Sequence, residues 1–318
     1  MWQNAKSTSN DMKRIATHFR AAACLWPGIL LLAVFDAPCF AQAPITNGLI
    51  ARWPGDGNAK DSAGHYDGVV SGGLRYAPGP AAAQAFYFGG GAGPGLYDQV
   101  QLPPVSYTID SNGNVVFLKP DEDVRGGHPQ PQLNGSGAQV DFGKSIGNFG
   151  TRDFTIAFWI KTDSQYRYQA FFGKRVTCDA VYSHWNIFLG SGSGTPPPGY
   201  LHFGITSAGS KAPAEDALFS TRPVNDGQWH HVVWVRQSTS SGSSTGLMYV
   251  DGGLDNSKPY RETVDLGNDA PLLLGQHVCQ CCDGCRAFSG AAAELQIFSH
   301  ALTAEEILVL YKAQKTDK

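Results

Sequence analysis

The first residues that could do chemistry are the oxygen-bearing side chains of a glycine-rich turn. Asp56, Asn58, Asp61 and Asp67 all lie between Gly55 and Gly68. Hard oxygen donors on a flexible loop are the ligands that Ca²⁺ prefers. The same side chains can instead accept hydrogen bonds from their own backbone in Asx turns. The turn therefore predicts either a calcium site or a self-bonded turn.

Cysteines form the second group. Five of them follow the N-terminal segment, namely Cys178, Cys279, Cys281, Cys282 and Cys285. In a cytosolic protein, the Cys-x-Cys-Cys-x-x-Cys spacing would predict zinc or copper, because thiolates at that spacing can converge on one soft ion. In an exported protein, disulfide bonds are expected instead. Because five is an odd number, one thiol would then stay free to cross-link a partner.

Carboxylates spaced for glycoside cleavage are the third group to consider. A retaining glycosidase needs two carboxyl groups ~5 Å apart. The closely spaced acidic residues are 121–123, in a predicted loop, and 305–306, in the first turn of a predicted helix, where they suit the helix dipole. His230 and His231 should face opposite sides of one strand, so at most one can enter a given site. We therefore expect a protein that is not an enzyme.

The N-terminal segment has the pattern of a secretory signal peptide. Basic residues between Lys6 and Arg20 precede an apolar run from Ala21 to Phe35, and Cys39 and Ala41 are small residues at the positions that signal peptidase reads. We predict a signal peptide of residues 1–41 and a secreted, periplasmic or extracellular location. The run is shorter than the ~20 residues of a spanning helix, so no stable membrane insertion is expected after cleavage. An uncleaved membrane anchor is the alternative.

Charge and composition narrow the classes of partner and fold. The formal net charge is -3 and the basic residues are scattered, so neither nucleic acid nor an anionic membrane is an expected partner. The chain has 38 glycines, 19 prolines and 16% charged residues, which suits a loop-rich all-β protein. Without its predicted leader it is still long enough for one large sandwich.

Period-two alternation predicts the main strands. In the first segment, the even-numbered residues from Phe154 to Ile160 share one face, and Trp159 lies on the other. In the second, Val233 and Trp234 lie on opposite faces. β-branched and aromatic residues fill these segments, as expected of strands whose two faces meet different environments. The predicted strands lie within 154–162, 227–237, 247–253 and 288–302.

In this order, these segments resemble the laminin G-like branch of the concanavalin A-like lectin/glucanase superfamily. The matching motifs are F-T-I-A-F-W-I-K, G-Q-W-H-H-V, Y-V-D-G and a closing G-A-A-A-E-L-Q-I-F stretch, with an opening strand and turn at 48–68. The resemblance covers residues 45–318 except for an insertion at about 89–133. It implies an all-β fold, a two-sheet antiparallel jelly-roll sandwich of the concanavalin A-like type.

The resemblance also implies metal ligands. In laminin G-like domains, an aspartate equivalent to Asp61 often binds calcium together with backbone carbonyls and an acidic residue near the closing strand. That strand keeps Glu294, but Ala293 stands where the family has aspartate. Calcium is therefore a candidate cofactor, with Asp61 and Glu294 as ligands and Asp67 as a weaker third. The E-x-D-x-E run of polysaccharide-cleaving superfamily members is absent from the sequence.

A disulfide is implied in the same way. The segment from Gly173 to Cys178 resembles a family strand whose cysteine pairs with one that follows the strand at 272–275. The resemblance therefore implies a bond from Cys178 to Cys279 or a close neighbour.

The insertion and the C-terminus carry their own local signals. Ser111-Asn-Gly-Asn114 predicts a hairpin turn, because Asn-Gly accepts positive φ angles. The insertion is either a recognition loop or decoration over one sheet face. Thr303 and Glu306 form a predicted capping box, so a short helix is expected near the C-terminus.

These observations favour an exported, non-catalytic binding module for glycans or for a cell-surface or matrix protein. A polysaccharide-cleaving enzyme with an atypical site, or a structural envelope or assembly component, is the alternative. Pyranose faces stack on aromatic rings, and five tyrosines near predicted loops are candidates for this, with nothing in their spacing to select among them. They are Tyr97, Tyr107, Tyr166, Tyr168 and Tyr200.

Overall fold

The computed structural model describes the greater part of the chain after residue 44. The described residues are 45–80, 83–88, 107–109, 115–117, 137–176, 182–191, 196–208, 215–260, 264–276 and 285–315. The predicted signal peptide and most of the predicted insertion lie outside them.

The described residues are mainly strands. In chain order the elements are β1 (Leu49–Trp53), β2 (Val69–Ser71), β3 (Arg75–Pro78), β4 (Gln84–Phe88), β5 (Tyr107–Ile109), β6 (Val115–Phe117), β7 (Gln139–Asp141), β8 (Phe154–Lys161), β9 (Tyr168–Lys174), β10 (His184–Gly190), β11 (Tyr200–Thr206), β12 (Glu215–Pro223), β13 (Trp229–Ser238), β14 (Ser244–Val250), β15 (Gly253–Pro259), β16 (Leu272–Leu274), β17 (Cys285–Ala287), β18 (Gly290–Phe298) and α1 (Ala304–Gln314).

Two sheets form a sandwich, which confirms the predicted all-β fold. The first sheet has the order β15-β14-β13-β8-β18-β4-β3, and β1 also pairs with β18. The second has the order β12-β11-β10-β9-β16-β7-β2, and β17 joins β9. The pairs are antiparallel apart from β17, which runs parallel to β9. The pairing of β1 with β18 brings the opening turn of the domain next to its closing strand.

The core lies between the two sheets, and strand alternation decides which side chains enter it. Phe154, Ile156, Phe158 and Ile160 of β8 are all buried in this core, as predicted. Trp159 instead packs on the outer face of the first sheet. The faces predicted for β13 are also confirmed, since Val232 and Trp234 lie in the core while Val233 and Val235 lie outside it.

Helix α1 covers part of the outer face of the first sheet. The Thr303 side chain accepts a hydrogen bond from the Glu306 N–H, and the Glu306 carboxylate accepts one from the Thr303 N–H, which confirms the capping box. Ile307 and Leu310 are buried against Val233 and its neighbours. In the described residues, no helix has the length and apolar character needed to cross a membrane.

The hairpin predicted inside the insertion is confirmed at the level of the backbone. β5 pairs with β6 in antiparallel register, with Tyr107 opposite Phe117 and Ile109 opposite Val115. Asn-Gly turns favour such a connection because their backbone twist matches that of the paired strands.

Two buried basic side chains connect loops to the sandwich by donating hydrogen bonds to backbone carbonyl groups. Lys174 Nζ donates to the carbonyl oxygens of Lys144 and Ala270 at 2.6 and 2.5 Å. Arg236 donates to the carbonyl oxygens of Val264 and Gly150, both at 3.1 Å. Burial lowers the pKa of Lys174 to about 8. Keeping this side chain charged in the folded protein therefore lowers the free energy of unfolding.

Candidate functional site

Arg52 is the centre of the site that the predicted ligand residues form. Ala51 and Trp53 are fully buried in the core, so alternation turns the Arg52 side chain outward. Arg52 pairs in register with Gln296 of β18. Because directly opposed residues have their Cβ atoms about 4.5–5.5 Å apart, these two side chains are neighbours on the outer face.

A β-bulge in β18 directs Glu294 toward Arg52. Ala292 and Leu295 both lie in the core, so strict alternation after Ala292 would place the Glu294 carboxylate in the interior. The register with β8 shifts between Ala293 and Gln296, and Glu294 adopts a left-handed backbone with φ 51°. Bulges characteristically re-aim a side chain in this way. Glu294 thus stays out of the core and meets Arg52.

The Arg52 and Glu294 side chains form a bidentate ion pair. Arg52 Nε lies 2.8 Å from Oε2, and Nη2 lies 3.0 Å from Oε1. The Glu294 side chain is 11% exposed and that of Arg52 is 39% exposed. Charge-assisted pairs of this geometry are among the stronger protein hydrogen bonds. Both oxygens of Glu294 are therefore engaged by protein donors.

Asp61 is engaged by backbone donors. Its Oδ1 accepts from the N–H groups of Arg52 and Ala63, both at 2.9 Å, and its Oδ2 accepts from that of Tyr66 at 3.1 Å. The Asp61 N–H in turn donates to Oδ1 of Asp67 at 2.8 Å. This is the self-bonded turn that the sequence offered as the alternative to a metal site.

The structure brings Asp61 and Glu294 to the same residue, although they are far apart in sequence. Arg52 bonds Asp61 through its backbone and Glu294 through its guanidinium group. The arrangement does not fit a resident Ca²⁺, because protein donors occupy the carboxylate oxygens and a cationic side chain faces Glu294. Within the described ranges, no three His, Cys, Asp or Glu side chains are grouped to hold a metal ion. Calcium binding stays a prediction.

A cavity of 420 Å³ opens beside Arg52. Its size is within the range of about 300–1,000 Å³ that is usual for small-molecule sites. Its lining comes from β1 and the residues before it, the opening turn, β18 and α1, and it contains both apolar and polar side chains. The apolar lining is Ile45, Leu49, Ala63, Val309, Leu310 and Ala313, and the polar lining is Thr46, Arg52, Ser62, Gln296 and Gln314.

Gln296 has unused hydrogen-bonding capacity at this cavity. The residue is 4% exposed, and its buried Oε1 has no hydrogen-bond partner. Gln314 differs, because its Oε1 accepts from the Trp159 indole N–H at 2.9 Å. A buried amide oxygen without a partner costs about 1–3 kcal/mol. A ligand that supplies a donor to Gln296 would recover this energy.

The outer face of the second sheet carries a row of aromatic rings. The centroids of Tyr168 and Phe188 are 4.6 Å apart, those of Phe188 and His202 5.5 Å, and those of His202 and Phe219 4.7 Å. Phe188 and His202 are buried, whereas Tyr168 and Phe219 at the two ends are partly exposed. The middle of the row is therefore closed to a stacking ligand.

In β9 to β12, the carboxylate on this face of the second sheet is that of Glu215. Glu215 Oε2 is 3.2 Å from His202 Nε2. Burial raises the pKa of Glu215, but the neighbouring His202 outweighs it and the net pKa is lowered. Asp216, the other carboxylate in the described β9 to β12, alternates to the opposite face. A glycosidase acid needs a raised pKa and a second carboxylate across the bond, and Glu215 has neither among these strands.

The adjacent histidines of β13 face opposite sides, as predicted. The His230 ring lies 2.9 Å from Asp251 Oδ2 and 3.1 Å from Asp226 Oδ1. The hydrogen bond to Asp251 raises the pKa of His230. His231 is completely buried, neither ring nitrogen has a partner, and burial lowers its pKa to about 4.

The remaining predicted residues have mixed outcomes. Cys178, Cys279, Cys281 and Cys282 lie outside the described residues, and of Cys285 only the strand pairing with Tyr168 is described. Their disulfide bonds stay predictions. Of the tyrosines, Tyr168 and Tyr200 begin β9 and β11, the two strands on either side of β10 in the second sheet, Tyr166 is exposed, and Tyr97 lies outside the described residues.

Sequence reasoning missed Arg52, Gln296 and the pair His202–Glu215. The signal for Arg52 was present, because it is a charged residue between two core residues of a predicted strand. Polar residues also alternate with core residues in β10, at His184 and Asn186, which marked the outer face of the second sheet. Gln296 could be identified as a site residue only from the register of β1 against β18.

A family model for laminin G domains, described as the concanavalin A-like lectin/glucanases superfamily, matches residues 134–308. No curated protein matches the chain in sequence.

Solved structures share the fold at low sequence identity. Domain 4 of AbnA, a GH43 extracellular arabinanase from Geobacillus stearothermophilus in complex with arabinotriose, superposes with a TM-score of 0.52 and 15% identity, over 83% of this chain and 98% of that one. The binding domain of botulinum neurotoxin DC in complex with SialylT has a TM-score of 0.50 and 12% identity, over 85% of this chain and 52% of that one. The chain thus spans about half the length of the toxin domain. At these identities the likeness shows the fold alone.

Proposed function

The chain belongs to the concanavalin A-like lectin/glucanases superfamily, and we propose that it is an exported, non-catalytic module that binds carbohydrate at the cavity beside Arg52. The observation that carries the proposal is this 420 Å³ cavity, whose lining contains apolar side chains and Gln296, a residue whose amide oxygen has no hydrogen-bond partner. Carbohydrates present hydroxyl groups alongside apolar C–H faces. A cavity lined by both polar and apolar side chains suits them.

Fold relatives support carbohydrate as the kind of partner. Two of them are described in complex with arabinotriose and with SialylT. One fold hosts many functions, so the site must carry the argument for this chain. Export is supported by the signal-peptide pattern of residues 1–41.

Binding without catalysis is supported by the state of the carboxylates. Glu294 is held in an ion pair with Arg52, and Asp61 is held by three backbone donors. Neither is placed as an acid with a second carboxylate opposite it. On the second sheet, Glu215 has a lowered pKa, which keeps it ionised and unable to donate a proton near neutral pH.

The test is a glycan array with the full chain, paired with assays of reducing-sugar release. We expect binding to at least one carbohydrate and no turnover. Ala313→Trp fills the cavity from α1 and should weaken binding at least about tenfold. Lys312→Trp places the same side chain at the adjacent position, which does not line the cavity, and should leave binding unchanged.

Three results would count against the proposal. Release of reducing sugar at enzymatic rates would favour a hydrolase. Binding that is equal in Ala313→Trp and Lys312→Trp would place the carbohydrate elsewhere. Capture of a protein partner with no carbohydrate bound would favour the structural or assembly role.

A further inference from the structure

The polar and apolar groups of the cavity beside Arg52 are arranged as an acetamido group requires. Building on the proposed carbohydrate function, we propose that the cavity selects an N-acetylated amino sugar. An acetamido group has one N–H donor, one carbonyl acceptor and one methyl group. The cavity lining offers a counterpart for each.

Gln296 is the counterpart of the N–H group. Its Oε1 has no partner, and the residue is 4% exposed while lining the cavity. The terminal torsion of a glutamine amide is soft, so the oxygen can turn to meet a ligand donor. Because the amide otherwise leaves a buried atom unsatisfied, a ligand that lacks the N–H gains less from binding here.

Arg52 and Gln314 supply donors for the acetamido carbonyl. Arg52 uses Nε and Nη2 on Glu294, which leaves Nη1 for a ligand. Gln314 accepts the Trp159 indole N–H with Oε1, which leaves its Nε2 as a donor. In a trans amide the carbonyl points away from the N–H. Two different protein groups are therefore needed, and the lining has them.

The apolar lining residues of the cavity are the counterpart of the methyl group. Leu49, Val309, Leu310 and Ala313 line the cavity together with the polar residues. A methyl group placed against them leaves water, which stabilises the complex. A hydroxyl or ammonium group at the same position would instead be desolvated without a partner.

Charge argues against an acidic sugar in this cavity. The guanidinium of Arg52 is already paired with Glu294, whose side chain is 11% exposed. A ligand carboxylate would find the Arg52 charge already paired and would repel the oxygen of Gln296. A neutral ligand with both a donor and an acceptor fits this environment better.

The experiment compares methyl glycosides of N-acetylglucosamine, glucosamine and glucose by titration calorimetry or ligand-observed NMR with the full chain. We expect the N-acetyl sugar to bind at least on the order of tenfold more tightly than the other two. Gln296→Met keeps the length of the side chain and should abolish this preference. Gln237→Met makes the same change at an exposed position of β13, outside the cavity lining, and should retain the preference.

The outcomes separate this inference from the proposed function. If carbohydrate binds and Ala313→Trp blocks it, but the acetamido group brings no preference, the inference is wrong and the function stands. The same holds if the preference survives in Gln296→Met. If no carbohydrate of any kind binds, both are wrong.

Discussion

The buried histidine His231 should make the protein sensitive to mild acid. Its ring packs against those of Trp159 and Tyr311, with centroids 5.2 and 6.0 Å away, and neither ring nitrogen has a hydrogen-bond partner. Burial lowers its pKa to about 4 from the ordinary 6.5. The ring is therefore neutral in the folded protein at a pH where the unfolded chain already binds a proton. Folding stability must fall as the pH falls from 6.5 toward 4.

The size of the effect follows from these two pKa values. Below both of them, the cost reaches about 3 kcal/mol, because each unit of difference corresponds to about 1.36 kcal/mol. Between pH 7 and pH 5, the linkage relation gives a loss of about 2 kcal/mol. His231→Phe cannot take up the proton and removes no hydrogen bond. Its free energy of unfolding should therefore lack this part of the pH dependence.

Urea unfolding followed by tryptophan fluorescence at pH 7 and pH 5 measures the difference. Wild type should lose about 2 kcal/mol more than His231→Phe over this interval. Other titrating groups are common to both proteins, so their contributions cancel in the comparison. His231→Gln should flatten the dependence in the same way. Parallel pH profiles for wild type and both variants would refute the reasoning, whatever their absolute stabilities.

Four further predictions concern other parts of the molecule. Thr303→Ala removes the side-chain acceptor of the α1 capping box and should cost about 1 kcal/mol in urea unfolding, and an unchanged midpoint would contradict that cap's role. Lys174 has a pKa lowered by burial to about 8 from 10.5, so the charged form is penalised in the fold. Relative to Lys174→Met, wild type should gain about 1 kcal/mol between pH 7 and pH 9, and equal slopes would refute this. Because protein donors occupy the Asp61 oxygens, the melting temperature should be the same in Ca²⁺ and in chelator, and a calcium-dependent rise abolished by Asp61→Ala would establish the metal site instead. Peptide mapping without reductant should find Cys178 bonded to a cysteine within 279–285, whereas a free Cys178 thiol in exported protein would favour the metal alternative.

The fold could be predicted because its signals are local and repeated. The period-two pattern of β8 and β13 assigned side chains such as Phe154 and Val233 to the correct faces. No other period fits the apolar residues of these two segments. The capping box at Thr303 fixed the start of α1 for a similar reason, because it needs only residues three positions apart. The arrangement in two antiparallel sheets came from the family resemblance, since alternation does not state which strands are neighbours.

The site was predicted only in part, because its contacts join distant segments. Asp61 and Glu294 were named through the resemblance, and they do lie at one place. Arg52 was missed because its role depends on the pairing of β1 with β18. The interaction of His202 with Glu215 likewise depends on the register of β11 against β12. The alternation within a single strand does not determine either register.

The bulge at Glu294 explains how a protein donor comes to occupy this predicted metal ligand. A left-handed backbone at a residue other than glycine costs on the order of 1–2 kcal/mol. The strain at Glu294, with φ 51°, is offset by its bidentate pair with Arg52. Arg52 therefore supplies the positive charge that the carboxylate needs after it is turned out of the core. Because Arg52 also lines the cavity, the residue that stabilises the bulge is the one that borders the proposed ligand.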